Sequence, residues 1–145
     1  MKKASIRIIM VDDHELVRNT WINVLENNPE FKVVADCDNG ITAIELARDL
    51  VPDIMFVDIN MAPINGFMVT ERVIEEVPSV KIICLSVNNQ IKYATRMIDL
   101  GAKGYLTKTS PLEEVYHCIM EVQKGHLYIC EEVKKSISPS DEKDR

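Results

Sequence analysis

Five times along this chain a short apolar run gives way to a segment of helical periodicity, and that alternation constrains the fold more than any other feature. The apolar runs are 6–11, 32–37, 54–57, 81–85 and 104–107. Three of them, 6–11, 54–57 and 81–85, are almost unbroken in apolar residues, the pattern of parallel strands covered by helices on both faces. The spacing predicts helices over about 15–27, 41–50, 66–76, 90–100 and 111–123. In the first of these, Val17, Trp21, Val24 and Leu25 recur on one face, which assigns Trp21 to the core. Ser110 suits an N-cap and Pro111 the first turn of the last helix, which stops at Gly125.

Repeated strand-helix units imply an α/β fold with a parallel sheet and right-handed crossovers. Single helices between five strands suit the flavodoxin-like (βα)5 arrangement, strand order 2-1-3-4-5, with helices on both faces. Residues 1–125 are expected to form this domain, and 126–145 a C-terminal extension or linker. Within the latter, 126–129 is briefly apolar, 131–137 has room for one or two helical turns, and 138–145 is polar and charged without an apolar face.

The 145 residues suit one compact domain, and 46% hydrophobic with 28% charged residues is a globular rather than a disordered composition. No apolar run approaches the roughly 20 residues of a membrane span. The run 6–11 is too short for a signal-peptide core, so a cytoplasmic location is expected. A formal net charge of −6 is the wrong sign for gripping phosphate backbones. Cys37, Cys84, Cys118 and Cys130 are scattered, which reads as reduced, mostly buried thiols. A zinc site from His117, Cys118, His126 and Cys130 is disfavoured, because adjacent helical residues point about 100° apart.

In an open parallel sheet the ligand crevice lies beyond the carboxyl ends of the strands. Here those ends carry Asp12 and Asp13, Asp58, Ser86 and Lys108. Any one of them alone has an ordinary structural role: a solvated turn, a helix cap, a loop hydroxyl, a surface charge. All of them at strand ends, in chain order, point to shared chemistry. Gathered carboxylates repel one another until a pKa rises or a cation neutralises them. Hard oxygen ligands with room for water favour Mg²⁺. An aspartate can take a phosphoryl group covalently, and a serine hydroxyl and a lysine ammonium suit its oxygens.

Asp12-Asp13, Val57-Asp58-Ile59-Asn60-Met61, Asn65-Gly66, Leu85-Ser86 and the run Gly101-Ala102-Lys103-Gly104-Tyr105-Leu106-Thr107-Lys108 resemble the signature set of bacterial receiver domains, over about 6–123. The resemblance implies that Asp58 is the phosphoacceptor, charged by a sensor histidine kinase. It implies that Asp13, Asp58 and the Asn60 backbone carbonyl hold Mg²⁺, with Asp12 acting directly or through water. Ser86 and Lys108 would bind the phosphoryl oxygens, and Tyr105 would turn inward as Ser86 moves. The stretches 11–18 and 108–114 are similar to a subgroup in which a LuxR-type helix-turn-helix domain follows. Such a domain needs roughly 60 further residues, so any contact with DNA is expected through an output domain absent from this chain.

Three positions depart from the family pattern. Ala62 stands where proline is usual, with Pro63 after it; Val87 replaces a small residue after the hydroxyl; Thr109 follows the lysine where many receivers have proline. None removes a chemical group. A haloacid-dehalogenase-type phosphohydrolase would want a second carboxylate where Asn60 stands, and a lid domain, so an external-substrate enzyme is not expected. The other rival is a stand-alone or unphosphorylated interaction module. Such domains typically lose an acidic residue or the lysine, and this chain keeps them all. The reporting surface is expected over 91–100, Tyr105 and 111–123, and a phosphorylation-promoted homodimer through it. Ile22, out of phase with the Val17 face, marks a second candidate contact with the last helix.

Overall fold

A computed structural model of the protein describes residues 5–136. Strands β1 (Ile6–Val11), β2 (Phe31–Cys37), β3 (Ile54–Val57), β4 (Lys81–Ser86) and β5 (Gly104–Thr107) alternate with helices α1 (Glu15–Glu26), α2 (Gly40–Leu50), α3 (Gly66–Glu76), α4 (Ile91–Asp99) and α5 (Leu112–Gln123). Two further elements follow, β6 (Tyr128–Ile129) and α6 (Glu131–Lys135). The sheet is parallel throughout, in the order β2-β1-β3-β4-β5-β6. The expected 2-1-3-4-5 core is present, and the sheet has six strands rather than five.

Every residue of β3 is buried, as its unbroken apolar run required, and so is every residue of β5. Register then decides what meets beyond the strand ends. Val11 pairs with Val57, so Asp12 and Asp58 leave the sheet side by side. Ser86 pairs with Thr107, so Lys108 emerges beside them. Asn65 caps α3, its side chain accepting the Met68 N–H at 3.0 Å. Gly66 is dictated by space, since a Cβ there would lie 2.3 Å from the Asp58 carbonyl oxygen.

The sixth strand is a local consequence of how α5 ends. Gly125 takes φ +95°, a left-handed turn that favours glycine, and reverses the chain toward the β5 edge. Tyr128 N–H then donates to Lys103 O at 2.9 Å and Cys130 N–H to Tyr105 O at 3.0 Å. Cys130 and Val133 are fully buried. The folded body therefore continues past residue 125 to at least 136; the polar stretch 138–145 lies outside the described residues. Ser110 is not the cap of α5. Pro111 holds that position, and the Ser110 hydroxyl instead accepts the Thr107 N–H at 3.2 Å.

On α1 only Leu25 is fully buried; Trp21 is half-buried, packed on the core and lining a groove with Leu16, Val17, Thr20 and Lys108. Ile22 is also half-buried against the core rather than free. Tyr116 of α5 donates to the Val24 carbonyl at 3.0 Å and stacks edge-on against Phe31, so α1 and α5 are joined within the chain. No helix among the described residues is long and apolar enough to cross a membrane.

Because Val133 is completely buried, Val133→Ala should lower stability by about 2 kcal/mol, two lost methylene equivalents plus part of a cavity. Urea unfolding of the two proteins measures it. An unchanged midpoint would mean that α6 is not part of the folded body.

Candidate functional site

At the carboxyl edge of the sheet, ligand atoms of Asp12, Asp13, His14 and Asp58 all lie within 4.8 Å of one another. Asp12 and Asp58 are each 1% exposed, so two carboxylates share a nearly dry pocket while Asp13 reaches solvent. The Lys108 ammonium stands between the buried pair, 2.8 Å from Asp12 Oδ2 and 3.2 Å from Asp58 Oδ2. It donates a hydrogen bond to Asp58. Its approach to Asp12 is close but poorly angled, which leaves Asp12 Oδ2 a buried oxygen with a charge partner and no aligned donor among the described residues.

The remaining oxygens are held by the backbone. Asp12 Oδ1 accepts the His14 N–H at 2.9 Å, and Asp58 Oδ1 accepts the Asn60 N–H at 3.3 Å. Burial pushes the Asp58 carboxyl above the usual carboxylate range; Lys108 opposes this and the Asp12 charge adds to it. For Lys108 burial pulls the other way, but the Asp12 contact and the Asp58 charge outweigh it and raise its pKa. One ammonium thus serves two buried carboxylates, with the Asp13 carboxylate close by. The donors are hard oxygens, one of them unsatisfied and buried, so the pocket fits a hard divalent cation.

Ser86 lies on the adjacent strand end, its carbonyl accepting the Lys108 N–H at 2.8 Å. Its hydroxyl oxygen accepts both the backbone and side-chain N–H of Asn88, each at 3.1 Å. The Asn88 carbonyl in turn accepts the Tyr105 hydroxyl at 2.6 Å. Tyr105 is 0% exposed, and burial raises its phenol pKa. The ring is already turned inward in this structure, so no inward swing remains to be made from it. Val87 stands mostly in solvent, 64% exposed, rather than packed into the pocket.

The structure thus brings Asp12, Asp13, Asp58 and Lys108 together, with the Asn60 amide on the Asp58 carboxylate and Ser86 one strand away. Two contributors went unread in the sequence. His14 folds back through an Asx turn so that Nδ1 lies 3.1 Å from Asp13 Oδ1 and 3.2 Å from Asp12 Oδ1. Arg18, one turn into α1, donates to the Asp12 carbonyl at 2.6 Å and pairs with Asp36 at 2.8 Å. The adjacency of His14 to Asp12-Asp13 was the available signal for the first; nothing in the spacing marked the second.

A parallel (βα)5 body with an acidic pocket and a lysine at its carboxyl edge defines the class, a flavodoxin-like α/β domain with its site beyond the strand ends. The profile of the response regulator receiver domain matches residues 8–120, and the chain belongs to that family. It is 36% identical to the transcriptional regulatory protein DegU of Brevibacillus brevis over 89% of its length and 55% of that protein's. It is 32% identical to the response regulator GacA of Pseudomonas aeruginosa over 92% of its length and 62% of that protein's. The chain therefore spans little more than half the length of these curated relatives. Among solved structures, a LuxR-family two-component response regulator from Aurantimonas sp. matches with a TM-score of 0.89 and 25% identity, covering 98% of this chain and all of that one. The isolated receiver domain of RcsB from Salmonella enterica shares the fold at a TM-score of 0.83 and 22% identity, covering 92% of this chain and 99% of that one.

The raised Asp58 pKa has a signed consequence for stability. The folded state keeps this proton to higher pH than the unfolded chain, so as pH rises through that window the folded state must give up a proton already lost by the unfolded one. Folding is penalised increasingly with pH. Asp58→Asn removes the penalty. Without metal, its stability advantage over the parent should grow as pH rises above the ordinary carboxylate range, about pH 4, in urea unfolding. An advantage that shrinks as pH rises would contradict the assignment.

Proposed function

We propose that this chain is the phosphorylation switch of a two-component system, in which Asp58 accepts a phosphoryl group from a sensor histidine kinase. The observation that carries the reading is a buried Asp58 carboxylate hydrogen-bonded to Lys108 beside two further aspartates. An Asp58 oxygen forms a bond to phosphorus as the bond from phosphorus to the donor's leaving atom breaks. The Lys108 ammonium passes from the carboxylates to a phosphoryl oxygen, which its position between Asp12 and Asp58 allows without a change of backbone. The Ser86 hydroxyl, whose oxygen here accepts from Asn88, donates to a second phosphoryl oxygen. Asp12, Asp13, Asp58 and the Asn60 carbonyl would hold Mg²⁺, which neutralises the carboxylates and the phosphoryl charge.

Phosphorylation then changes the contacts around Ser86, Asn88 and Tyr105, and these form the switch. Because the ring is inward here, the proposed transition runs between this arrangement and an outward one. The outcome is control of transcription from the cytoplasm, exerted through an output domain outside these 145 residues. The chain itself turns over no external substrate. A phosphorylation-promoted homodimer forms through the α4–β5–α5 face or through α1 and α5.

With acetyl phosphate and Mg²⁺, intact mass should rise by one phosphoryl group. Asp58→Ala or EDTA should abolish the rise; an equal rise in either would sink the assignment. Asp13→Ala should remove Mg²⁺ binding in titration calorimetry and leave the fold intact, since Asp13 sits outside the core. For the dimer, sedimentation with and without beryllofluoride is decisive, and identical profiles would exclude it.

A further inference from the structure

The C-terminal helix α6 is tied by side chains to both loops that border the site. Glu132 Oε1 accepts the Thr107 hydroxyl at 2.8 Å and the Thr109 hydroxyl at 2.6 Å. These two threonines flank Lys108. On the other loop, Ser136 Oγ lies 2.8 Å from the Asn89 carbonyl and 2.7 Å from that of Val133, its one proton shared between them. Asn89 adjoins Asn88, the residue that satisfies Ser86 and receives Tyr105. Val133, fully buried, anchors the helix that presents these groups.

The chain turns immediately after β5, the Ser110 N–H donating to the Thr107 carbonyl at 3.0 Å. In this turn Thr107 and Thr109 both face α6, while Lys108 between them reaches Asp12 and Asp58. A lysine has four rotatable bonds and roughly 2 kcal/mol of rotamer freedom to lose, so its ammonium is best held where the backbone is fixed first. Here the Lys108 N–H is bound to Ser86 O, and the residues on either side are bound to one carboxylate oxygen. The Thr109 hydroxyl and then the Thr107 hydroxyl hold the Glu132 carboxyl below its ordinary range, so it is charged at neutral pH and accepts both bonds.

We propose that Glu132 is a positioning residue for Lys108: by holding the Thr107 and Thr109 hydroxyls it keeps the intervening ammonium between Asp12 and Asp58. On the phosphorylation reading above, on which this part rests, it thereby sets the rate at which Asp58 is phosphorylated. Glu132 touches neither the phosphoryl group nor Asp58. It acts through Lys108.

The test uses the full chain with Glu132→Ala, Glu132→Gln and Thr109→Val. With acetyl phosphate and Mg²⁺, E132A should slow Asp58 phosphorylation roughly three- to tenfold, and T109V should slow it less. E132Q keeps an oxygen able to accept both hydroxyls, so it should recover most of the rate. In a Lys108→Ala background E132A should have no further effect, because the lysine it positions is gone. A wild-type rate in folded E132A, or the same slowing with and without Lys108, overturns the proposal. Amide exchange without any phosphodonor separates this from the phosphorylation reading. E132A should speed exchange at Lys108 and Ser110 but not across β1 and β3. If the parent takes no phosphate, the phosphorylation reading falls and exchange alone decides: a local rise supports the positioning role, and a uniform rise or none overturns it.

Discussion

The central strands β1, β3 and β4 are buried on both faces, and the site follows from that burial. Ile8, Ile9, Met10, Val11, the whole of β3 and residues 82–85 are at most 2% exposed. A half-buried strand takes its register from face polarity, because a one-residue slip turns its apolar side to water. Strands apolar on both faces lack that guide. Their ends supply it instead, since sliding Asp12 or Asp58 inward would strand a carboxylate in the core at several kcal/mol. The same residues that stop the strands therefore align them, with Val11 against Val57 and both aspartates at one edge.

That alignment creates an electrostatic problem which the protein solves only in part. Asp12 and Asp58 are nearly dry, Asp13 is close, and among the described residues Lys108 is the one ammonium between the buried pair. A fully balanced cluster would be more stable and less reactive, because functional sites are commonly maintained against local stability. Here the imbalance is visible in two places: a raised Asp58 pKa and an Asp12 oxygen without an aligned donor. Both are properties of a pocket that gains by admitting positive charge.

Most of this was legible in the residues. The bounds of β1, β3, β5 and α3 coincide with the pattern, because long apolar runs and the Asn65-Gly66 cap leave few alternatives. The strand-end aspartates and lysine were equally plain. What the pattern missed depends on tertiary contact. A two-residue strand such as β6 has no periodicity to read, and its place is set by the turn at Gly125 and the free edge of β5. Ser110 had the right chemistry for a cap, yet the β5–α5 loop uses its hydroxyl for Thr107. His14 enters the acidic cluster only through the Asx turn at Asp12. Ile22, out of phase with the Val17 face, is nonetheless half-buried against the core.

The added elements also change how the α4–β5–α5 face must be understood. β6 pairs along β5, so the outer edge of the sheet is no longer open there, and α6 lies against both α4 and β5. Glu114 of α5 is occupied as well, accepting the Tyr128 hydroxyl at 2.7 Å and the Glu131 N–H at 2.9 Å. A partner approaching this face meets α6 before it meets the strand. It must either include α6 in the contact or displace it, and displacement would expose Cys130 and Val133 and unmake the bonds to Thr107, Thr109 and Asn89. Those bonds adjoin Lys108 and Ser86. A partner that displaced α6 and thereby changed cation affinity at the acidic pocket would, by linkage, have its own affinity changed by the same factor when the pocket is filled.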